Sequence, residues 1–332
     1  MIRYRWNDVP RNEVPKKCFF WLALSLLVLL SACAPKQAAQ VPQITEEPSY
    51  VDALGHRYAQ KESPRRIVSL SPAVTEILFA IGAGDHVVGV TQYCDYPPEA
   101  KTRTSIGGFS GATMSIEQIR VLEPDLVILS ADMHARIVAL LDELGIPSLA
   151  VEPKNFSQVY GVIALIGEIC GCSSGADGVI TEMKGKIAAV EERFRLNDSA
   201  STAHGSSPAR PSVFWVLSED PLMSAGPGTF VSEAISLAGG KNIFADVREQ
   251  WPLVSPEQVL LRKPEWILLG SDMTGTGPGA SGRPLLAASF WKTIPAVKEG
   301  RIALVNGDLL YRYGPRLADA VVSLAEILFP PL

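Results

Sequence analysis

SIEQIRVLEPDLVIL, residues 115–129, returns 140 residues later as SPEQVLLRKPEWILL, residues 255–269. Serine, glutamate, glutamine and proline keep the same offsets: Ser115 and Ser255, Glu117 and Glu257, Gln118 and Gln258, Pro124 and Pro264. Each copy reads as a short serine-capped helix, a turn forced by proline, and an apolar run of strand length. Two copies are too few for a solenoid, so the repeat predicts two similar lobes.

Strands and helices alternate on both sides of each copy. Residues 66–70 (RIVSL) read as a strand, Ser71-Pro72 as a cap and first helical residue, and Val74, Ile77, Leu78 and Ile81 as the apolar stripe of a helix ended by Gly82. A strand at 87–90 follows. Beyond the helix that starts at Ser115 come a strand at 126–130, a helix at 135–144 stopped by Gly145, and a strand at 148–151. The second series has strands at 213–217, 266–270 and 302–305, with helices near 231–238, from Ser255, and at 316–328. Such alternation predicts parallel sheets covered by helices. Between the two series apolar residues recur from Val159 to Phe194. Residues 157–196 therefore read as one long helix, with 170–178 (CGCSSGADG) as the place for a single break. Residues 197–210 (NDSASTAHGSSPAR) read as a flexible loop. The fold class is α/β: two similar lobes, 51–156 and 197–332, with parallel central sheets, joined by one long α-helix and entered through a short hairpin near 50–56.

The helix starts carry a finer point. Ser115 with Gln118, and Ser255 with Gln258, form the capping box S-x-x-Q. Glu117 and Glu257 are then left to point outward. A lone carboxylate in a first turn does no more than favour the helix dipole, by roughly 0.3–1 kcal/mol. The same spare glutamate in both lobes instead suggests a matched pair of docking charges for a partner with two basic sockets.

The N-terminus is a secretory leader. Arg3, Arg5, Arg11, Lys16 and Lys17 precede an uncharged run at 18–30 (CFFWLALSLLVLL), too short for a bilayer core of about 20 residues. Leu30-Ser31-Ala32-Cys33 resembles the lipobox of bacterial lipoproteins, which implies cleavage after residue 32, acylation of Cys33, and a Pro-rich polar tether over 33–50. The mature chain has 25 basic and 33 acidic residues, a net charge of −8. That balance argues against nucleic acid as a partner. Cys94, Cys170 and Cys172 read as small, mostly buried residues, and nothing matches paired Cys-x-x-Cys zinc spacing.

RIVSLSPAVTEILFAIGAGDHVVGV (66–90), Tyr93-Cys94-Asp95-Tyr96-Pro97-Pro98 and AGGKNIFADVREQWPLVSPEQVLLRKP (238–264) together resemble the helical-backbone family of periplasmic substrate-binding proteins that serve ABC importers of cobalamin, iron siderophores and haem. The second and third blocks are most similar to its cobalamin branch. The resemblance implies a ligand cleft between the lobes, no resident cofactor or metal, and no catalysis. It also implies a monomer that hands a corrinoid to permease subunits powered by a separate ATPase. Glu117 and Glu257 match the glutamates that engage arginines on the permease. Tyr93 and Trp251 match aromatics lining the corrinoid cleft, and Asp308 and Arg312 match a polar pair near the ligand. Phe109, in the loop 107–111, stands in for a tryptophan of the cobalamin branch, and Leu217 replaces an aromatic there.

Read singly, Tyr93 and Trp251 are also ordinary lobe-capping aromatics. Asp308 and Arg312, four apart, are also a surface ion pair worth about 0–1 kcal/mol. Rival functions find less support. Residues 108–112 (GFSGA) miss the last glycine of a nucleophile elbow, and 225–230 (AGPGTF) is no P-loop, which speaks against a cleft enzyme. A zinc or manganese carrier needs several imidazoles from His56, His86, His134 and His204. A haem or siderophore receptor of the same fold remains, with Tyr93, Tyr311, Tyr313 and His134 as candidate iron ligands.

Overall fold

The computed structural model describes residues 49–59, 62–110, 112–202, 210–270 and 289–330. The leader, Cys33 and most of the tether lie outside these residues, as does His204. No described helix is long and apolar enough to cross a membrane.

The described chain begins with an antiparallel hairpin, β1 (Ser49–Val51) with β2 (Arg57–Ala59). The Asp52 carboxylate closes its turn by accepting from the backbone N–H of Leu54 and His56, and it also accepts from Ala150. The first lobe is built on β3 (Ile67–Ser69), β4 (Val87–Val90), β5 (Thr104–Ser105), β6 (Leu126–Ser130) and β7 (Ser148–Val151), all parallel, in the order β5-β4-β3-β6-β7. The second has β8 (Ser212–Val216), a small hairpin of β9 (Ser218–Glu219) and β10 (Leu222–Met223), then β11 (Lys241–Asn242), β12 (Trp266–Gly270) and β13 (Ile302–Val305). Its sheet is also parallel, in the order β11-β8-β12-β13. The two-residue pieces β5, β9, β10 and β11 are too short to show a period in sequence.

Helices follow the strands: α1 (Pro72–Ala80), α2 (Ile116–Val121), α3 (Ala131–Glu143), α4 (Phe156–Ile169), α5 (Ser173–Thr202), α6 (Phe230–Leu237), α7 (Pro256–Arg262), α8 (Pro295–Lys298), α9 (Asp308–Tyr311) and α10 (Leu317–Leu328). Gly82 ends the α1 segment at φ 90° and Gly145 the α3 segment at φ 67°, conformations that cost a residue with a Cβ. Strand side chains alternate between faces. Ile67, Leu126 and Ile128 face one core while Val68, Val127 and Leu129 face another. In the second lobe Val213, Trp215 and Leu268 divide from Phe214, Val216 and Leu269 in the same way. The outer faces make two private cores, one per lobe. The inner faces share a single core through α4, α5 and α10.

The duplicated units share backbone features. Ser115 and Ser255 both cap their helices by accepting from the N–H three residues on. Glu123 and Lys263, each before a proline, share a left-handed conformation with φ 44° and 46°. Asp125 and Glu265 each staple the start of the neighbouring strand: Asp125 accepts from the N–H of Arg65 and Arg66, and Glu265 from the N–H of Ser212. One expected detail differs. The reciprocal half of the capping box, the Gln side chain accepting from the Ser N–H, forms at Ser255 but not at Ser115. Ser71 likewise stands at the N-cap of α1 without a side-chain capping bond, its first turn being set by Pro72.

The long helix is broken where glycine and cysteine cluster. α4 stops at Ile169, Gly171 takes φ 68°, and α5 begins at Ser173. The 30-residue α5 runs to Thr202, so the stretch 197–202, expected as loop, is helical. Lys186 of α5 pairs with Asp319 of α10 at 2.6 Å, and Arg193 donates to the Phe329 carbonyl. Cys94 and Cys170 are buried free thiols and Cys172 a half-buried one; burial pushes the Cys170 thiol up to about 12.

Candidate functional site

In doubly wound sheets, ligands bind beyond the carboxyl ends of the strands, at the switch point where the strand order reverses. In the first lobe that point lies between β3 and β6. Ser71, just past β3, and Ser130, at the end of β6, line a cavity of about 280 Å³ there. Its far wall belongs to the second lobe: Gly228, Thr229, Phe230, Gln250, Trp251, Tyr311 and Arg312. The cavity therefore lies between the lobes.

Phe109, Trp251 and Arg312 line this cleft. Trp251 sits at its lip, 40% exposed. Tyr93 stands behind Phe109, ring to ring at 6.2 Å in an edge arrangement, and Asp308 stands behind Arg312. The structure thus brings these five residues to one place, three in the wall and two supporting it. Glu117 and Glu257 lie elsewhere, exposed on α2 and α7. Leu217 packs against the shared core.

Arg312 is no surface residue. It is 5% exposed and makes three ion pairs: with Glu76 of α1 at 3.3 Å, Asp95 at 2.7 Å and Asp308 at 2.9 Å. Arg316 joins through Glu76, Nε to Oε2 at 2.9 Å with a second bond to Oε1, and lies over the Tyr96 ring at 3.9 Å. Glu76, itself 3% exposed, Asp95 and Tyr96 come from the first lobe; both arginines and Asp308 come from the second. The Ser130 and Tyr313 hydroxyls bond across the same gap at 2.5 Å. Burial would raise the Asp95 carboxyl, but the hydrogen bond and charge of Arg312 outweigh it and hold the group below its ordinary value. Asp308 is raised by burial, with the Asp95 charge adding to it. Periodicity in the sequence gave no sign of Glu76, because it stands among the apolar residues of α1. A carboxylate in an otherwise buried helix was the available signal.

His134 is fully buried in α3. The Ser130 N–H donates to its Nδ1 at 3.3 Å, so Nε2 carries the proton and donates to the Phe109 carbonyl at 2.9 Å. Its ring also meets the Phe109 ring at 5.7 Å. Both nitrogens are committed, which removes His134 from the candidate iron or zinc ligands and makes it the anchor of the Phe109 loop. Burial lowers its pKa below 6.5. The folded protein therefore holds fewer protons on this ring than the unfolded chain. His134 contributes stability above about pH 6.5 that is lost as pH falls through its depressed value. We expect the stability gap between wild type and His134→Ala to be about 1–3 kcal/mol at pH 8, for the two polar partners stranded, and to narrow below pH 6.5 in urea titrations. A gap independent of pH would show that the ring binds its proton equally well in the folded and unfolded chain.

The comparisons agree with this architecture. A family model described as a periplasmic binding protein matches residues 67–309. An uncharacterized ABC transporter substrate-binding lipoprotein, YvrC of Bacillus subtilis, is 33% identical over 95% of this chain and 98% of its own length. The crystal structure of the periplasmic vitamin B12-binding protein BtuF of Vibrio cholerae is 30% identical, with a TM-score of 0.66 over 80% of this chain and 97% of that one. The periplasmic haem-binding protein RhuT of Roseiflexus sp. RS-1, in its apo form, is 28% identical, with a TM-score of 0.67 over the same shares. The family match over residues 67–309 and the likeness to YvrC define the class, a substrate-binding protein. The chain belongs to the periplasmic binding protein family.

Proposed function

We propose that this chain is the lipid-anchored, extracytoplasmic receptor of an ABC importer, tethered through Cys33, and that its cleft captures cobalamin or a related corrinoid. It performs no chemistry on the ligand and passes it to permease subunits that Glu117 and Glu257 engage. The observation that supports a corrinoid is the charge state of the wall. Among the described residues, its two cations are already spent: Lys154 on Glu152 at 2.7 Å, and Arg312 on three carboxylates. Haem propionates and anionic siderophores need an uncommitted cation. A corrinoid rim carries neutral carboxamides. Arg312 Nε, in the wall and buried without a hydrogen-bond partner among the described residues, leaves one donor for an amide oxygen. Trp251, Phe109 and Phe230 supply flat apolar surface for a macrocycle. A corrinoid exceeds 280 Å³, so one edge enters and the remainder lies in the open mouth.

The test is calorimetric titration of the soluble mature chain with cyanocobalamin, cobinamide, haemin and a ferric siderophore. Heat with either corrinoid, and none with haemin, is the expected result. Silence toward both corrinoids overturns the assignment, and binding of haemin instead favours the haem reading that the RhuT likeness allows.

A further inference from the structure

The duplicated helices repeat a second exposed feature. Among the described residues, the two most exposed large apolar side chains are Leu261, at 82%, and Val121, at 72%. They occupy the same offset of the two copies, four residues after Glu257 and Glu117. Four residues return a helix to the same face, so each glutamate has an aliphatic neighbour one turn along. Val259 and Ile119, midway between, are fully buried and fix the opposite face inward. Single exposed aliphatics are ordinary. The two largest exposures at one register of an internal repeat are not scattered.

We infer that each lobe docks through a two-part knob, a carboxylate with an aliphatic side chain beside it, and that the matching sockets are a basic residue next to an apolar pocket on each of two related permease subunits. The inference rests on the reading of Glu117 and Glu257 as permease contacts. Charge complementarity selects the partner. Neither glutamate has an ion pair among the described residues. A second copy of this chain would set like charge against like charge, and an anionic lipid surface would repel both knobs. A repeat at one register asks for two sockets of one chemistry. In such a contact the charge steers and sets register, while burial of the aliphatic group holds.

The test uses the full-length chain in its own cells. Photoreactive benzoylphenylalanine at position 121 or 261 is expected to yield an adduct with the same polytopic membrane protein, and none from position 304, where Leu304 is 57% exposed on β13. The pair Val121→Gln, Leu261→Gln keeps the thermal midpoint and the ligand affinity of the wild type. It lowers chain-dependent uptake of labelled cyanocobalamin at subsaturating ligand at least tenfold, the loss expected from one such side chain left in water. If Glu117→Lys with Glu257→Lys abolishes uptake while the glutamine pair transports normally, the aliphatic half is overturned and the permease reading stands. If both pairs transport normally, or the adducts join a second copy of this chain, both are overturned.

Discussion

Arg312→Ala lowers the thermal midpoint of the protein by roughly 4–6 °C, a loss of about 3 kcal/mol for a chain of this size. Removing one partner from a buried ion pair costs about 3–5 kcal/mol, because the remaining charge stays out of water. The lower end applies here for two reasons. Glu76 keeps Arg316, and the Asp95 side chain is 46% exposed and partly screened. What remains is Asp308, 20% exposed at its side chain, and an excess of carboxylates between the lobes. The pH dependence separates this from simple loss of packing. Asp95 is held below its ordinary value by Arg312, so its contribution is present above about pH 4 and lost as pH falls through the lowered value. The gap between wild type and variant narrows in that window. A midpoint within 2 °C of wild type at neutral pH would show that the network is solvated and that the lobes are held by α5 and the shared core alone.

If the cleft takes a corrinoid as proposed, Trp251→Ala weakens its binding by roughly thirtyfold, about 2 kcal/mol, and leaves folding within about 0.5 kcal/mol of wild type. The two halves of this expectation follow from one fact. Trp251 is 40% exposed at the lip of the cleft, so the apo protein gains little from its ring, whereas a macrocycle laid against it removes that face from water. Titration with cyanocobalamin and thermal melts of the same variant give both numbers. Unchanged affinity would move Trp251 from the ligand to a lobe-capping role. Equal losses in affinity and stability would mean that it shapes the lobe and does not touch the ligand.

The same contrast runs through the site. Phe109, Trp251 and Arg312 were readable as candidates from motifs, and they do meet at one cleft. Their supports were not readable. His134 reaches Phe109 across 25 positions through a carbonyl, and a sequence carries no trace of which backbone oxygen a histidine will find. Glu76 meets Arg312 across 236 positions and Arg316 across 240. Pairings at that separation depend on how two lobes are set against each other, and charge along the chain does not encode it. The spacing of Asp308 and Arg312 suggested a surface pair; burial turned it into one edge of an interlobe network.

By itself the sequence determined the alternation of strands and helices, the duplicated unit at 115–129 and 255–269, and the two-lobed α/β class. These rest on side-chain periods and on caps and prolines that act within a few residues, so they survive without tertiary context. Tertiary structure alone decided that the long helix does break at the weak point 170–178, and that its second half runs to Thr202, because helix length past a weak point is set by what the helix packs against. It also decided that one capping box is complete and the other half made. Above all it decided that the lobes share a core and a buried charge network, since burial, and the energy it gives to a charge pair, exists only once distant segments have excluded water.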